Sequence, residues 1–384
     1  MLARRRFLSL AAAGAYGLFA GPHMALATVA TDRRFVFIIQ RGAADGLNTV
    51  IPYADPNYAP LRGPLAIDPA GAIKLDGMFA LHPSLVETGK LFGAGQALFV
   101  QAVASPYRER SHFDAQNVLE TGGARPYGVK DGWLNRLVGM LPTTKGEAIA
   151  IAPTVPVALR GAAPVTSYAP SALPQPTDEL MARVSQLYAG DPQFHALWSR
   201  AMDTREMAGD TGPKQDPASL GKLAAEFLAR PDGPRIAMIE TGGWDTHTAQ
   251  NGRLAAQLKS LDTLIGGLRD GLGPAWSDTV VLVATEFGRT AAANGGGGTD
   301  HGTASAAMLI GGAVKGGRVT ADWPGLTQAA LLDGRDLAPT AALDALIAGA
   351  AAETFHLDPG RVSRTLFADV RPSAMASLVK PRSV

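Results

Sequence analysis

Six short runs along this chain are apolar at nearly every position: FVFIIQ (35–40), ALFVQAV (97–103), EAIAIAP (147–153), RIAMIE (235–240), TVVLVAT (279–285) and AMLIGG (307–312). Continuous rather than alternating apolar character is what a strand covered on both faces of a parallel sheet requires. Between these runs the period changes. Leu254, Leu258, Leu261, Leu264, Ile265 and Leu268 recur at helical spacing in 250–271, and Leu180, Val184, Leu187, Tyr188, Leu197 and Trp198 do so in 177–201. Helices also suit 83–93, 217–229 and 339–352. Strands alternating with helices predict an α/β fold, a three-layer sandwich with a mainly parallel central sheet. The Pro-, Ala- and Ser-rich stretch 154–176 reads as an irregular loop and 203–218 as a polar connection. There is no repeat period, so 28–384 reads as a single domain with insertions.

The first 27 residues alter what counts as the mature protein. They combine a basic start, a short apolar run rich in Gly and Ala, and Ala25-Leu26-Ala27 as a small-x-small cleavage site. That is the pattern of a signal peptide, too short for a membrane span. Arg4-Arg5-x-Phe7-Leu8 resembles the twin-arginine export signal, which implies passage through the twin-arginine translocon and a periplasmic or secreted product; an ordinary secretory signal or an N-terminal anchor is the alternative. No later segment is long and apolar enough to span a bilayer.

Loss of the three arginines in that segment moves the balance from 35 Lys and Arg against 34 Asp and Glu to 32 against 34. A near-neutral chain carries no electrostatic footprint for nucleic acid or for an anionic membrane. The chain has no cysteine. Disulfides, thiolate nucleophiles and zinc sites built on sulfur are therefore excluded, and a metal would need histidines and carboxylates.

In open α/β sheets ligands bind beyond the carboxyl ends of the strands, and polar clusters follow four of the six apolar runs. RGAADGLN brings Arg41, Asp45 and Asn48; SPYRERSHFD brings Arg108, Arg110, Ser111, His112 and Asp114. TGGWDTH brings Asp245 and His247, and EFGRT brings Glu286 ahead of a four-glycine run that ends in Asp300-His301. Asp245-x-His247 and Asp300-His301 are carboxylate–imidazole pairs suited to zinc, manganese or iron, and equally to turns. Glu286 reads as a ligand, a general base or a solvated strand end. Ser111 reads both as the N-cap of a helix, with Asp114 at its third position, and as a nucleophile, with Arg108 and Arg110 as anion-binding forks and His112 beside it. The glycine run, Gly295 to Gly298, reads as a mobile flap. Its far end should bring His301 close to Asp245 and His247, more than fifty residues away in sequence.

The motifs RGAADGLNTVIPY, LHPSL, RSHFDAQNVLETG, GWLNRL, TGGWDTH, TEFGRT and GGTDHGTA occur in an order that resembles an exported bacterial family, domain of unknown function 1501, over nearly all of the mature chain. That family is similar to the alkaline phosphatase and sulfatase superfamily. The resemblance implies an alkaline-phosphatase-like fold and a metal-dependent hydrolase of phosphate or sulfate esters. By that template Asp45 follows the first strand as a metal ligand, Ser111 is the nucleophile at a helix start, Asp245 and His247 bind metal, His301 returns to it, and Glu286 is the acid after a late strand. Zinc or manganese is implied, as one ion or two, with a small anionic, sulfated or phosphorylated ester as substrate. The chain departs from the template where Glu286-Phe287 stands in place of Asp-His, which removes an imidazole from one metal. Ser111 also lacks the following residues that formylglycine formation needs. A catalytically degenerate member that binds an anion, a polysaccharide or a partner protein is the alternative.

Overall fold

The computed structural model describes residues 32–142, 148–170, 178–208 and 216–381; the signal segment lies outside them. Its strands are β1 (Arg34–Gln40), β2 (Val50–Ile51), β3 (Ile73–Lys74), β4 (Ala80–Leu81), β5 (Ala97–Ala104), β6 (Ala148–Ile151), β7 (Val165–Tyr168), β8 (Ile236–Thr241), β9 (Thr279–Thr285), β10 (Ser305–Ile310), β11 (Arg318–Thr320) and β12 (Ala341–Ala342). Nine of them form one sheet in the order β11-β5-β10-β9-β1-β8-β6-β7, with β12 also on β5. β2, β4 and β3 form a small separate sheet.

The main sheet is parallel except for β10, which runs antiparallel to both β9 and β5. β1 lies at its centre, with Phe37 opposite Met238 of β8 and Leu282 of β9. Every residue of β1 is buried, because successive side chains enter opposite layers. Phe35, Phe37 and Ile39 pack into a core with Trp133, Leu134, Leu346, Ile347 and Phe367. Val36 and Ile38 enter the other core, with Leu223, Phe227, Leu258, Leu261 and Ile265. The helices Pro217–Ala229 and Gln250–Leu272 cover that second face. The helices Trp133–Met140 and Leu343–Phe355 cover the first. Two apolar layers on one sheet explain why its strands carry no polar alternation.

Two expectations are corrected. The stretch 154–176 is not wholly irregular: β7 extends the sheet in parallel from β6. Its sequence, VTSY, is half-buried at every position, as suits an edge strand, and so it lacks an apolar run. The helical stretch 177–201 is two helices, Asp178–Ala189 and Pro192–Ala208, separated at Gly190-Asp191. The Asp191 carboxylate accepts from the backbone N–H of Gln193 and Phe194 and so starts the second helix.

Candidate metal centre

β1, β5, β8 and β9 all point their carboxyl ends to one edge of the sheet, and β10 enters from that edge. The loops there carry almost every polar cluster that stands out in the sequence. His112 opens the helix His112–Thr121 after β5. Asp245 and His247 follow β8, and Asp300-His301 lead into β10.

Three imidazoles and one carboxylate converge. His301 Nε2 lies 2.9 Å from His112 Nε2 and 3.0 Å from His247 Nε2. Asp245 Oδ1 lies 3.3 Å from His301 Nε2 and 3.0 Å from His247 Nε2, and Asp245 Oδ2 is 3.5 Å from His112 Nε2. His112, Asp245 and His301 form the one group with metal-ligand spacing among the described residues. Ligands of a tetrahedral ion bound at 2.0–2.1 Å stand about 3.3 Å apart, so the separations within that trio fit a zinc-sized cation, and His247 Nε2 lies beside it against His301 and Asp245.

The outer nitrogens of the three rings strengthen that fit. His112 Nδ1 is 2.8 Å from Glu286 Oε1, His247 Nδ1 is 3.2 Å from Asp300 Oδ1, and His301 Nδ1 is 3.1 Å from the carbonyl of Arg110. Each acceptor draws the ring proton to Nδ1 and leaves the Nε2 lone pair aimed inward. Three lone pairs and an anionic oxygen held this close repel one another unless a proton or a cation lies between them. Phe287 is buried and packs against the rings of both His112 and His301, with centroids 5.0 and 5.2 Å away.

The electrostatics are set by neighbours. Glu286 is fully buried; burial pushes its carboxyl up, but hydrogen bonds from His112, Gln116 and the Gly42 amide outweigh this and hold it low. The hydrogen bond to Glu286 in turn raises the His112 imidazole. Burial, with the charges of His112 and Arg289, lowers His301. Burial raises the Asp245 carboxyl, and the Arg289 guanidinium, 2.7 Å from Oδ1, more than offsets it.

The other sequence candidates sit elsewhere, or differently. Asp45 lies outside the converging group. It is buried, accepts from the backbone N–H groups of Leu47 and Asn48, and makes a bidentate pair with buried Arg62 at 2.8 Å for each contact. Glu286 and Asp300 each hold an imidazole from behind. Arg110 is not an open anion fork, since Nε and Nη2 both lie on Asp336 Oδ2, at 3.0 and 2.7 Å. Arg108 donates to the carbonyls of Ser105 and Tyr107. Ser111 does occupy the N-cap position, yet its side chain makes no capping hydrogen bond.

Three participants were not read from the sequence as part of the centre. Arg289 is buried against Asp245 and Thr299. Gln116 braces Glu286, and its place one turn beyond His112 on the same helix face was the signal available. Asn294 fixes the glycine run: its side chain accepts from the amides of Gly296 and Gly298 and donates to the His247 carbonyl and to Asp300. The run therefore folds back on His247 as a stitched turn. A Cβ on Gly298 would stand 2.3 Å from the His247 carbonyl, so that glycine is required by close approach.

The fold and this cluster define an α/β protein with a histidine–carboxylate centre, suited to a divalent cation, at the carboxyl edge of its sheet. The chain belongs to the DUF1501 family, described as a protein of unknown function, whose sequence profile matches residues 32–366. No curated protein matches the sequence significantly. Among solved structures the chain is similar to Ps i-CgsB in complex with k-i-k-neocarrahexaose, at 10% identity over 85% of this chain and 73% of that one, with a TM-score of 0.44. It is also similar to the zinc complex of the C-terminal periplasmic domain of EcEptC from Escherichia coli (10% identity, 73% of each chain, TM-score 0.37). A third likeness is to the phosphonate monoester hydrolase of Agrobacterium radiobacter (12% identity, 75% of this chain and 70% of that one, TM-score 0.35). All three likenesses are distant. Among the described residues no helix is long and apolar enough to cross a membrane.

Proposed function

We propose that this protein is an exported, metal-dependent hydrolase of phosphate or sulfate esters that holds one divalent cation, zinc or manganese, between His112, Asp245, His247 and His301. The observation that carries the reading is the convergence of His112, Asp245 and His301, with His247 Nε2 against His301 and each of the three rings braced through Nδ1 by a separate acceptor. A cation bound there supplies Lewis-acid polarisation of an anionic ester. The protein's own part is to hold three neutral imidazoles in one tautomer and to keep Asp245 ionised through Arg289. Ser111 adjoins His112 with its hydroxyl not spent on capping, which suits attack on an ester held at the helix N-terminus. A single group fits better than a two-metal site, because Asp45 is neutralised by Arg62 and Glu286 faces His112. The twin-arginine route and a periplasmic or secreted location remain part of the proposal, resting on Arg4-Arg5 and the 25–27 cleavage pattern.

Elemental analysis of protein purified without added metal tests this directly. About one zinc or manganese per chain is expected, and it should be lost together in His247→Ala and His301→Ala. Turnover of an aryl phosphate, phosphodiester or aryl sulfate should then depend on Ser111. If no stoichiometric metal is found, and added zinc or manganese leaves the melting temperature unchanged, the reading fails.

One observation favours a second reading, in which the centre is catalytically degenerate, because among the described residues no arginine beside it is an open fork for an ester's charge. Arg108, Arg110 and Arg289 already have protein acceptors. Metal-loaded protein inactive on the whole ester panel would support it.

A further inference from the structure

We infer that Arg110 and Asp336 form a clamp that positions His301, so that Arg110 is a positioning residue and its guanidinium does not bind substrate. The inference rests on the reading of His301 as a metal ligand.

The backbone of Arg110 is left-handed, with φ +61°. A residue with a Cβ meets its own carbonyl there and keeps such a conformation only where its surroundings enforce it. The effect of the twist is visible: it turns the Arg110 carbonyl toward His301 Nδ1, 3.1 Å away. That acceptor keeps the His301 proton on Nδ1 and frees Nε2, the atom that meets both His112 and His247.

The enforcement comes from Asp336, which is fully buried. Its Oδ2 accepts from Arg110 Nε and Nη2, at 3.0 and 2.7 Å. The same oxygen accepts from the Thr303 hydroxyl at 2.9 Å, two residues beyond His301. Its Oδ1 accepts from Arg335 Nη1 at 3.1 Å. One buried carboxylate thus grips the loop after β5 on one side of the Arg110–His301 contact and the chain entering β10 on the other. The backbone around Asp336 is fixed in turn, by a bridge to Thr290 and another to Leu332.

The clamp predicts an order of variants that a general packing role does not. Arg110→Ala loses the anchor and keeps the steric penalty, so the carbonyl should swing away. Arg110→Gly also loses the anchor, but glycine adopts the left-handed region freely and should keep part of the contact. Zinc affinity, measured by competition with a chromophoric chelator, should fall about 10- to 100-fold in Arg110→Ala and in Asp336→Asn. It should fall distinctly less in Arg110→Gly, with His247→Ala as the reference for a lost ligand. Nitrogen-15 spectra of the metal-free protein supply an independent readout: His301 should be in the Nδ1–H form in the wild type and a mixture of tautomers in Arg110→Ala. If Arg110→Ala binds zinc as tightly as wild type while His247→Ala does not, the clamp is overturned and the metal centre stands. Equal losses in the Gly and Ala variants would overturn the role of the left-handed backbone. If wild-type protein binds no zinc, the metal reading falls and the clamp with it. Should Asp336→Asn fail to fold, the Arg110 pair and the spectra decide.

Discussion

Glu286 Oε1 lies 2.8 Å from His112 Nδ1, although 174 residues separate the two in sequence. The carboxylate reaches its position as the first residue beyond β9, and the imidazole as the first turn of the helix after β5. Their contact fixes the tautomer of His112 from a site that water does not enter. Glu286→Gln should keep an oxygen facing His112 while placing an amide toward Thr285 Oγ1, so the fold should survive. With the ring's brace weakened, zinc affinity should drop about 10- to 100-fold. Chelator competition on folded variant protein checks this, and an unchanged affinity would show that Glu286 does not govern the ring.

Asp45 and Arg62 supply a contrast, because their pair is buried and Asp45 lies outside the converging group. Arg62→Met removes the partner and leaves a buried carboxylate without its counter-charge. A loss of about 3–5 kcal/mol in urea denaturation is expected, with metal stoichiometry unchanged in the folded fraction. The reverse pattern, intact stability with lost metal, would return Asp45 to the centre.

Within the glycine run, two neighbours should behave oppositely. A Cβ at Gly295 meets nothing within 4 Å, whereas one at Gly298 stands 2.3 Å from backbone atoms of both Thr246 and His247. Gly295→Ala should be neutral or stabilise by up to about 1 kcal/mol. Gly298→Ala should displace His247 and lower both the melting temperature and zinc affinity. Equal behaviour of the two would mean that the run does not pack as described.

Much of this was legible in the sequence, for a physical reason. Strands buried on both faces announce themselves as apolar runs, and the polar residues directly beyond them fall at one edge when the strands are parallel. His112, Asp245, His247, Glu286, Asp300 and His301 were therefore all readable as candidates. Their division of labour was not. Which of two imidazole nitrogens faces inward depends on acceptors such as the Arg110 carbonyl, and a backbone oxygen leaves no mark in the sequence. Asp45 reads as a ligand by the resemblance, and Arg62, seventeen residues later, gives no sign in the sequence of turning back onto it. The edge strand β7 was hidden by its Thr and Ser. The helix Pro359–Leu366 went unread although Asp358 and Pro359 mark its start, and the Asp358 side chain caps it.

Asp344 offers a test of pH dependence away from the metal centre. Burial raises its carboxyl to about 7, opposed by the charge of Arg108. A carboxyl raised in the folded state binds its proton more tightly there than in the unfolded chain. Its contribution to stability is therefore full below about pH 4 and is lost as the pH rises toward about 7. Asp344→Asn, which mimics the protonated form, should match wild type near pH 4 and exceed it by up to about 4 kcal/mol at pH 8. His82, lowered to about 4 by burial, slopes the other way between about pH 4 and 6.5, and it cancels in the difference because both proteins contain it. Urea midpoints at the two pH values decide; a constant gap would rule out titration of Asp344 as its source.

The chain contains no cysteine, yet His112 and His301 meet across 189 residues and His247 and His301 across 54. A cation gripped by these side chains would act as a reversible clasp on loops that no covalent bond closes. Its grip would scale with supply: each tenfold rise in free cation above the dissociation constant would add about 1.4 kcal/mol to the folded state. The melting point of this protein would then be a gauge of the ionic composition around it.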